Sequence, residues 1–368
     1  MISLYIMSQF VHLHVHTEYS LLDGVASIST LVDKAMADGM PGMAITDHGN
    51  MFGIKEYFNY VNKKNGKTLG AIKDAKKALE KAKADGDSEA AATAEAEIAK
   101  LQKKIFKPIF GCEMYVAQKS LHEHVDKKDT GRHLIVLAKN ETGYHNLVKL
   151  VSKAWTEGFY SHARTDKSEL AKYNEGLIVC SACLGGEIPR LLQAGRFEEA
   201  DRQVAWFKET FGDDYYIELQ RHKATVPRAN HNVYELQKQI EPKLIELARK
   251  HNIKIVASND VHFANEEDSE AHDRLICLST NKLLNDEGRM LYTKQEWLKS
   301  SEEMSNLFAD LPEAISNTVE LLDKVETYCI DHPPIMPNFE IPADFGTEAE
   351  YRSRITEKEL FDEFTQDE

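Results

Sequence analysis

An α/β barrel is the fold this sequence predicts, and two observations predict it. Short apolar runs rich in Val and Ile recur along the chain, and amphipathic stretches of helical period separate most of them. The alternation persists from residue 10 to residue 280, which suits one barrel better than an open sheet with two separate halves.

The elements follow in chain order. The run 10–16 is the first strand, and 28–37 is the first helix. The short run 43–46 is strand two, with a helical pattern over 51–61 behind it. Residues 68–104 then break the rhythm: they are rich in Ala, Lys and Glu, and Asp85-Gly86-Asp87-Ser88 interrupts them. Good helix formers on both sides of a turn signal predict a helical hairpin inserted in the barrel, with Ser88 capping its second arm. Such a hairpin is either a solvated structural insertion or an arm for a partner. Strands three and four are 108–116 and 133–138, and a helix follows over 143–155. The runs 177–181, 215–219 and 253–258 complete the set of strands, with helical patterns over 197–211, 230–251 and 269–278. The expected division is an extension over 1–9, a barrel over 10–280, and a C-terminal extension and linker over 281–368. Pro333, Pro334, Pro337 and Pro342 mark that linker, and Thr347-Glu348-Ala349-Glu350 has the pattern of a capping box opening a helix towards Phe364. Almost nothing follows to bury that helix, so a longer parent chain is expected.

Composition narrows the function. The 368 residues are 42% hydrophobic and 29% charged, ordinary for a globular protein. A net charge of −15 argues against a free-standing domain that grips duplex DNA by its own basic surface. Residues 339–368 carry ten acids against three bases, so the acidity is uneven. An acidic chain can still act on a phosphate ester if bound metal ions supply the positive charge. The five cysteines are Cys112, Cys180, Cys183, Cys277 and Cys329, an odd number without disulfide-like spacing, which predicts a reducing cytoplasm. Residues 1–7 are too short for a signal peptide and lack basic flanks. No apolar run approaches the roughly 20 residues of a membrane helix, so a soluble protein without a membrane partner is expected.

The strongest chemical signal is His12-Leu13-His14-Val15-His16, where strand alternation places three imidazoles on one face. Strand two ends in Thr46-Asp47-His48-Gly49, and the last strand ends in Asn259-Asp260-Val261-His262, so each brings a carboxylate and an imidazole to its C-terminal end. In a parallel barrel those ends converge on one face, where sites are built. Strand three carries Glu113, and Cys183 follows the fifth strand. Oxygen and nitrogen ligands drawn from several strands suit zinc, manganese or iron rather than calcium. Cys180-Ser181-Ala182-Cys183 is also a CxxC, but no second one exists and Cys180 lies in an apolar run, so a redox pair is the weaker reading. His133 starts its apolar run instead of ending it: either that strand runs against the others, or the preceding loop folds over the barrel mouth. His122, His124, His145, His162, His222 and His251 have no spacing argument and are expected at the surface.

These motifs resemble the PHP family, named for polymerases and histidinol phosphatases. Its pattern is His-x-His first, Thr-Asp-His second and Asp-x-His last, on a distorted (β/α)7 TIM-like barrel. The stretch 10–24, together with 107–117, 140–155, 180–192 and 258–281, looks like a bacterial replicative DNA polymerase, and the resemblance spans 8 to about 340. It implies nine ligand positions. His14, His16, Glu113 and Asp260 would hold one ion. Glu113 would bridge to a second, held by His133 and Cys183, while Asp23, His48 and His262 would hold a third. His12 becomes a supporting residue. The implied cofactors are two or three divalent ions (Zn, Mn or Fe), and the implied chemistry is phosphoester hydrolysis, for DNA a 3′–5′ exonuclease. The parent would be a DNA-directed DNA polymerase, with its palm domain downstream. Expected partners are DNA through the full polymerase, that palm domain, a proofreading exonuclease subunit and other replisome subunits. Two rivals stay open: a free-standing phosphatase of the histidinol-phosphate type, and a non-catalytic scaffold that docks a proofreading subunit.

Overall fold

The computed structural model describes residues 9–123, 129–337, 346–354, 356 and 359. Most of the expected extension over 1–9, His124, Pro342 and the last part of the expected helix towards Phe364 lie outside those residues. The chain divides into two units, 1–330 and 331–368.

In the first unit the strands are β1 (Gly42–Ile45), β2 (Lys107–Val116), β3 (Arg132–Ala138), β4 (Phe159–Tyr160), β5 (His162–Thr165), β6 (Leu177–Cys180), β7 (Tyr215–Leu219) and β8 (Lys254–Ala257). β1, β6 and β7 are buried at every position, as the apolar runs of β1 and β6 require, and in β7 that burial takes in the acid Glu218. β1 pairs parallel with β2, β2 antiparallel with β3, and β3 antiparallel with β6; β6, β7 and β8 are parallel. Residues 10–16 close the circle. Ala44 N donates to His12 O at 2.8 Å and Thr46 N to Val15 O at 2.8 Å on one side, while His16 N donates to Val261 O at 2.7 Å on the other. The barrel therefore has seven staves, as expected, and β3 is the stave that runs against the rest. The short hairpin β4–β5, which no apolar run announced, extends β2 at its end.

One interior cluster draws on every stave: Val11 and Leu13, Ala44, Ile109, Ile135 and Leu137, Ile178 and Cys180, Tyr216, and Val256. The helices pack outside: α1 (Ile28–Ala37), α2 (Ile54–Asp85), α3 (Ser88–Gln102), α4 (Glu141–Thr156), α5 (Lys167–Lys172), α6 (Glu187–Gln193), α7 (Phe197–Phe211), α8 (Asn232–Lys250), α9 (Ser269–Ser279), α10 (Ser301–Leu307) and α11 (Glu313–Lys324). From α11, Leu321 and Leu322 join the interior cluster and close the barrel floor. Burying each is worth roughly 1.5–3 kcal/mol. Among the described residues no helix is long and apolar enough to cross a membrane.

Two local expectations change. The helix predicted over 51–61 does not stop there but continues to Asp85 as the first arm of the hairpin. Gly66 and Gly70 alone do not break it, because no proline removes a ladder hydrogen bond. The cap of α3 is Asp87, not Ser88: its side chain accepts from Ala90 N at 3.0 Å. In the second unit, the helix α12 (Glu348–Arg354) opens on the expected capping box, with Thr347 N donating to Glu350 at 2.7 Å and Glu350 N to Thr347 Oγ1 at 3.3 Å.

Candidate metal centre

Strand periodicity places the site one layer above the apolar interior. Glu113 is four residues beyond Ile109, Glu218 two beyond Tyr216, and Ser258 two beyond Val256, each on the inward face of its strand. On antiparallel β3 the residue towards the same end is the earlier one. His133 therefore starts its strand and still reaches the site.

The nine expected positions are brought together. His14 Nε2 lies 3.1 Å from His16 Nε2, 3.1 Å from Asp260 Oδ1 and 3.5 Å from Glu113 Oε1. His133 Nδ1 is 2.7 Å from Glu113 Oε1 and 3.5 Å from Cys183 Sγ. Asp23 Oδ2 is 3.1 Å from His48 Nε2 and 3.7 Å from His262 Nε2. Three triads of these side chains could each hold an ion: His14, His16 and Glu113; Glu113, His133 and Cys183; and His16, His48 and His262. The last differs from the expected grouping by taking His16 in place of Asp23. Backbone strain gathers here too. Asp260 has φ 46°, Leu22 beside Asp23 has 61°, and Ala182 beside Cys183 has 62°, all in the left-handed region that non-glycine residues avoid.

The electrostatics fit cations. Among the described residues, buried Glu113 Oε2, His48 Nδ1 and His262 Nε2 find no hydrogen-bond partner. Burial alone would raise the Asp23, Glu113 and Asp260 carboxyls, yet the surrounding imidazoles hold all three well below the usual carboxylate range. Against the same burial, the carboxylates raise His14 and His48 well above the ordinary imidazole value and His262 to about 9. His16 goes the other way, to about 3, through burial and the neighbouring His48 and His262. Burial and the Asp260 and Glu113 charges push the Cys183 thiol well up. Unpartnered donor atoms around carboxylates, imidazoles and one thiol make a fitting set for divalent ions.

The sequence pattern of the PHP domain family matches residues 12–222. The chain belongs to the PHP domain family. This PHP protein is 40% identical over 353 residues to the DNA polymerase III subunit alpha of Borreliella burgdorferi, covering 95% of this chain and 26% of that one. It is 37% identical over 359 residues to that of Treponema pallidum, covering 96% and 26%. The chain thus spans about a quarter of the length of these curated relatives. Among solved structures, an amidohydrolase from Chromobacterium violaceum aligns with 68% of this chain and 87% of its own at 12% identity and a TM-score of 0.38, too distant to carry its chemistry over.

The PHP site opens into a cleft of about 590 Å³. Glu113, Asp260 and Glu296 line it, and of its described lining residues only Arg289 is permanently cationic. That guanidinium is already committed to Asp273 through contacts of 2.6 and 2.7 Å.

Several residues escaped the sequence reading. Glu218 accepts from His14 Nδ1 at 2.7 Å, and a lone acid in the otherwise apolar run Tyr215–Leu219 was its signal. Tyr292 OH donates to both Asp23 oxygens, at 3.1 and 3.0 Å, and His272 Nε2 lies 3.3 Å from the same carboxylate. Neither stands in a spacing pattern. His222, expected at the surface, is buried in the cleft wall, with Gln237 and the Asn259 carbonyl as partners of its ring. His12 does not share a face with His14 and His16. The chain bends at His14, so Leu13 packs inside the barrel while Val15 packs outside. His12 Nε2 instead lies 2.8 Å from Lys299 O and stays clear of the cluster.

Proposed function

We propose that this PHP domain holds two or three divalent ions of the zinc, manganese or iron kind and hydrolyses phosphate esters. Its DNA reaction would be a 3′–5′ exonuclease cut at mispaired ends, within a bacterial replicative DNA polymerase. One observation carries the reading: carboxylates and imidazoles line the cleft together, and among its described lining residues the one permanent cation is neutralised by Asp273. Once those imidazoles give up their protons to coordinate, the carboxylates would repel a phosphate unless bound cations reversed the sign of the cleft.

In this reading His14, His16, Glu113 and Asp260 hold one ion, and Glu113, His133 and Cys183 a second. Asp23, His48 and His262 hold the third. Such ions supply Lewis acidity and lower the pKa of water. The chain's own residues prepare the site. Tyr292 OH and His272 fix the Asp23 carboxylate, while Thr17 and Ser20 donate to Asp47 and so brace the turn between His16 and Asp23. Cys183 must give up its thiol proton to act as a ligand. Asn230, Asn232 and Gln220 on the cleft wall offer neutral hydrogen-bonding groups to a sugar or base.

The polymerase-like stretches support the wider setting: DNA, a palm domain that carries polymerisation, a proofreading exonuclease subunit and other replisome subunits. The test is a primer with a mispaired 3′ end, incubated with the metal-loaded protein. Release of mononucleotides, lost in Asp260→Asn, is expected. Turnover confined to small phosphomonoesters would replace the exonuclease with a phosphatase. No hydrolysis of either substrate by protein that binds metal would leave a docking scaffold.

A further inference from the structure

We propose that Glu218 is a positioning residue of the metal centre, fixing His14 in the tautomer that turns Nε2 towards the ions. This rests on the metal reading above, to which it adds a residue outside the nine ligand positions.

Glu218 is 3% exposed, and among the described residues its ion-pair partner is His14 alone. No lysine or arginine is paired with it, although a buried carboxylate without a counter-charge costs several kcal/mol. An ionised Glu218 can only accept, so the contact of 2.7 Å between its Oε1 and His14 Nδ1 places a proton on Nδ1. In the neutral imidazole that coordination requires, this leaves the lone pair on Nε2, the atom facing His16 Nε2, Asp260 Oδ1 and Glu113 Oε1. The carboxylate is itself held in place. Gln220 Nε2 donates to Oε1 at 2.9 Å, Ser258 Oγ donates to the same oxygen, and the Glu218 backbone N–H donates to Ser181 Oγ at 2.9 Å. Oε1 therefore has little freedom to swing away from the imidazole.

The contrast with His16 indicates what the charge adds. His16 Nδ1 lies 2.9 Å from the neutral hydroxyl of Ser20, which itself donates a hydrogen bond to Asp47. His14 instead meets a carboxylate directly, and an imidazole that donates to a carboxylate is a stronger base at its other nitrogen. Of the two facing imidazoles, His14 is therefore the more electron-rich ligand.

The test compares the wild type with Glu218→Ala and Glu218→Gln. Zinc affinity is titrated against a competing chelator, and the His14 protons are located by long-range ¹⁵N–¹H correlation spectra of the zinc-loaded proteins. In Glu218→Ala, one ion is expected to bind about 10–100-fold more weakly while the others keep their affinity. Glu218→Gln retains an oxygen that can accept the Nδ1 proton, so it should keep the tautomer and recover most of the affinity. Equal zinc affinity in all three proteins would overturn the proposal, as would a zinc-loaded wild type whose His14 carries no proton on Nδ1. Should Glu218→Ala fail to fold, the wild-type tautomer and Glu218→Gln decide the matter. A wild type that binds no ion sinks the metal reading and this inference with it. Ions bound equally well without Glu218 sink this inference alone.

Discussion

Oε2 of Glu113 sits 2.5 Å from Nδ1 of His48, and no hydrogen-bonding geometry joins the two atoms. The same carboxylate reaches His133 through its other oxygen at 2.7 Å. Glu113 thus belongs to two of the candidate triads, and its loss should weaken both. Zinc should raise the melting temperature of the wild type, since a ligand at a hundred times its Kd stabilises by about 2.7 kcal/mol. Glu113→Gln should lose most of that rise. A zinc-dependent shift that survives the substitution would contradict the shared role.

Metal binding should release protons. His14 and His48 are held well above the ordinary imidazole value and His262 at about 9, so all three are largely protonated at pH 7 without metal, and the Cys183 thiol keeps its proton. An ion has to displace those protons, so affinity falls as pH drops. Calorimetry in buffers of different ionisation enthalpy should give at least about one proton released per ion. Binding with no proton release would count against these ligands.

A glycine beside the site gives a perturbation that replaces no ligand. A Cβ on Gly185 would lie 2.8–3.0 Å from the His133 ring. The ring could yield only by leaving Glu113 and Cys183. Gly185→Ala should therefore lose the ion of that triad and keep the others, as elemental analysis per chain would reveal.

Beyond the metal site, Arg164 is buried beneath the loop between β2 and β3 and pairs with buried Asp129 at 3.0 Å. Removing one member leaves an uncompensated buried charge, so Asp129→Ala should cost about 3–5 kcal/mol in urea unfolding. A cost below about 1 kcal/mol would place the pair among weak surface bridges.

The pair Asp273–Arg289 on the cleft wall carries a pH signature. Burial pushes the Asp273 carboxyl up, but Arg289 holds it below its ordinary value. A depressed carboxylate contributes stability that is complete above its unfolded pKa of roughly 3.9 and is lost as pH falls through the folded value. Asp273→Asn should flatten the acid limb of the stability profile below about pH 4 and change little of its slope at neutral pH. An unchanged acid limb would refute the assignment.

Much of this was legible because strand chemistry is local. The seven apolar runs became the seven staves, and His48, Asp260 and His262 stood at strand ends where a barrel concentrates function. His133 announced its reversed strand by its position at the start of the run. What escaped needed three-dimensional information. His12 left the shared face because the bend at His14 resets the alternation, and no residue type there signals a bend. Tyr292 and His272 reach Asp23 across about 250 residues of sequence or more, where no spacing rule applies. His222 was assigned to the surface by default, and the cleft that buries it depends on how α8 and the segment around Tyr292 come together.

The most direct test of the central claim is metal content per chain, measured by elemental mass spectrometry after loading with zinc or manganese and desalting. His14→Ala and Asp260→Asn serve as controls. The account predicts two or three ions in the wild type and fewer in each control. Less than one ion per wild-type chain would contradict it.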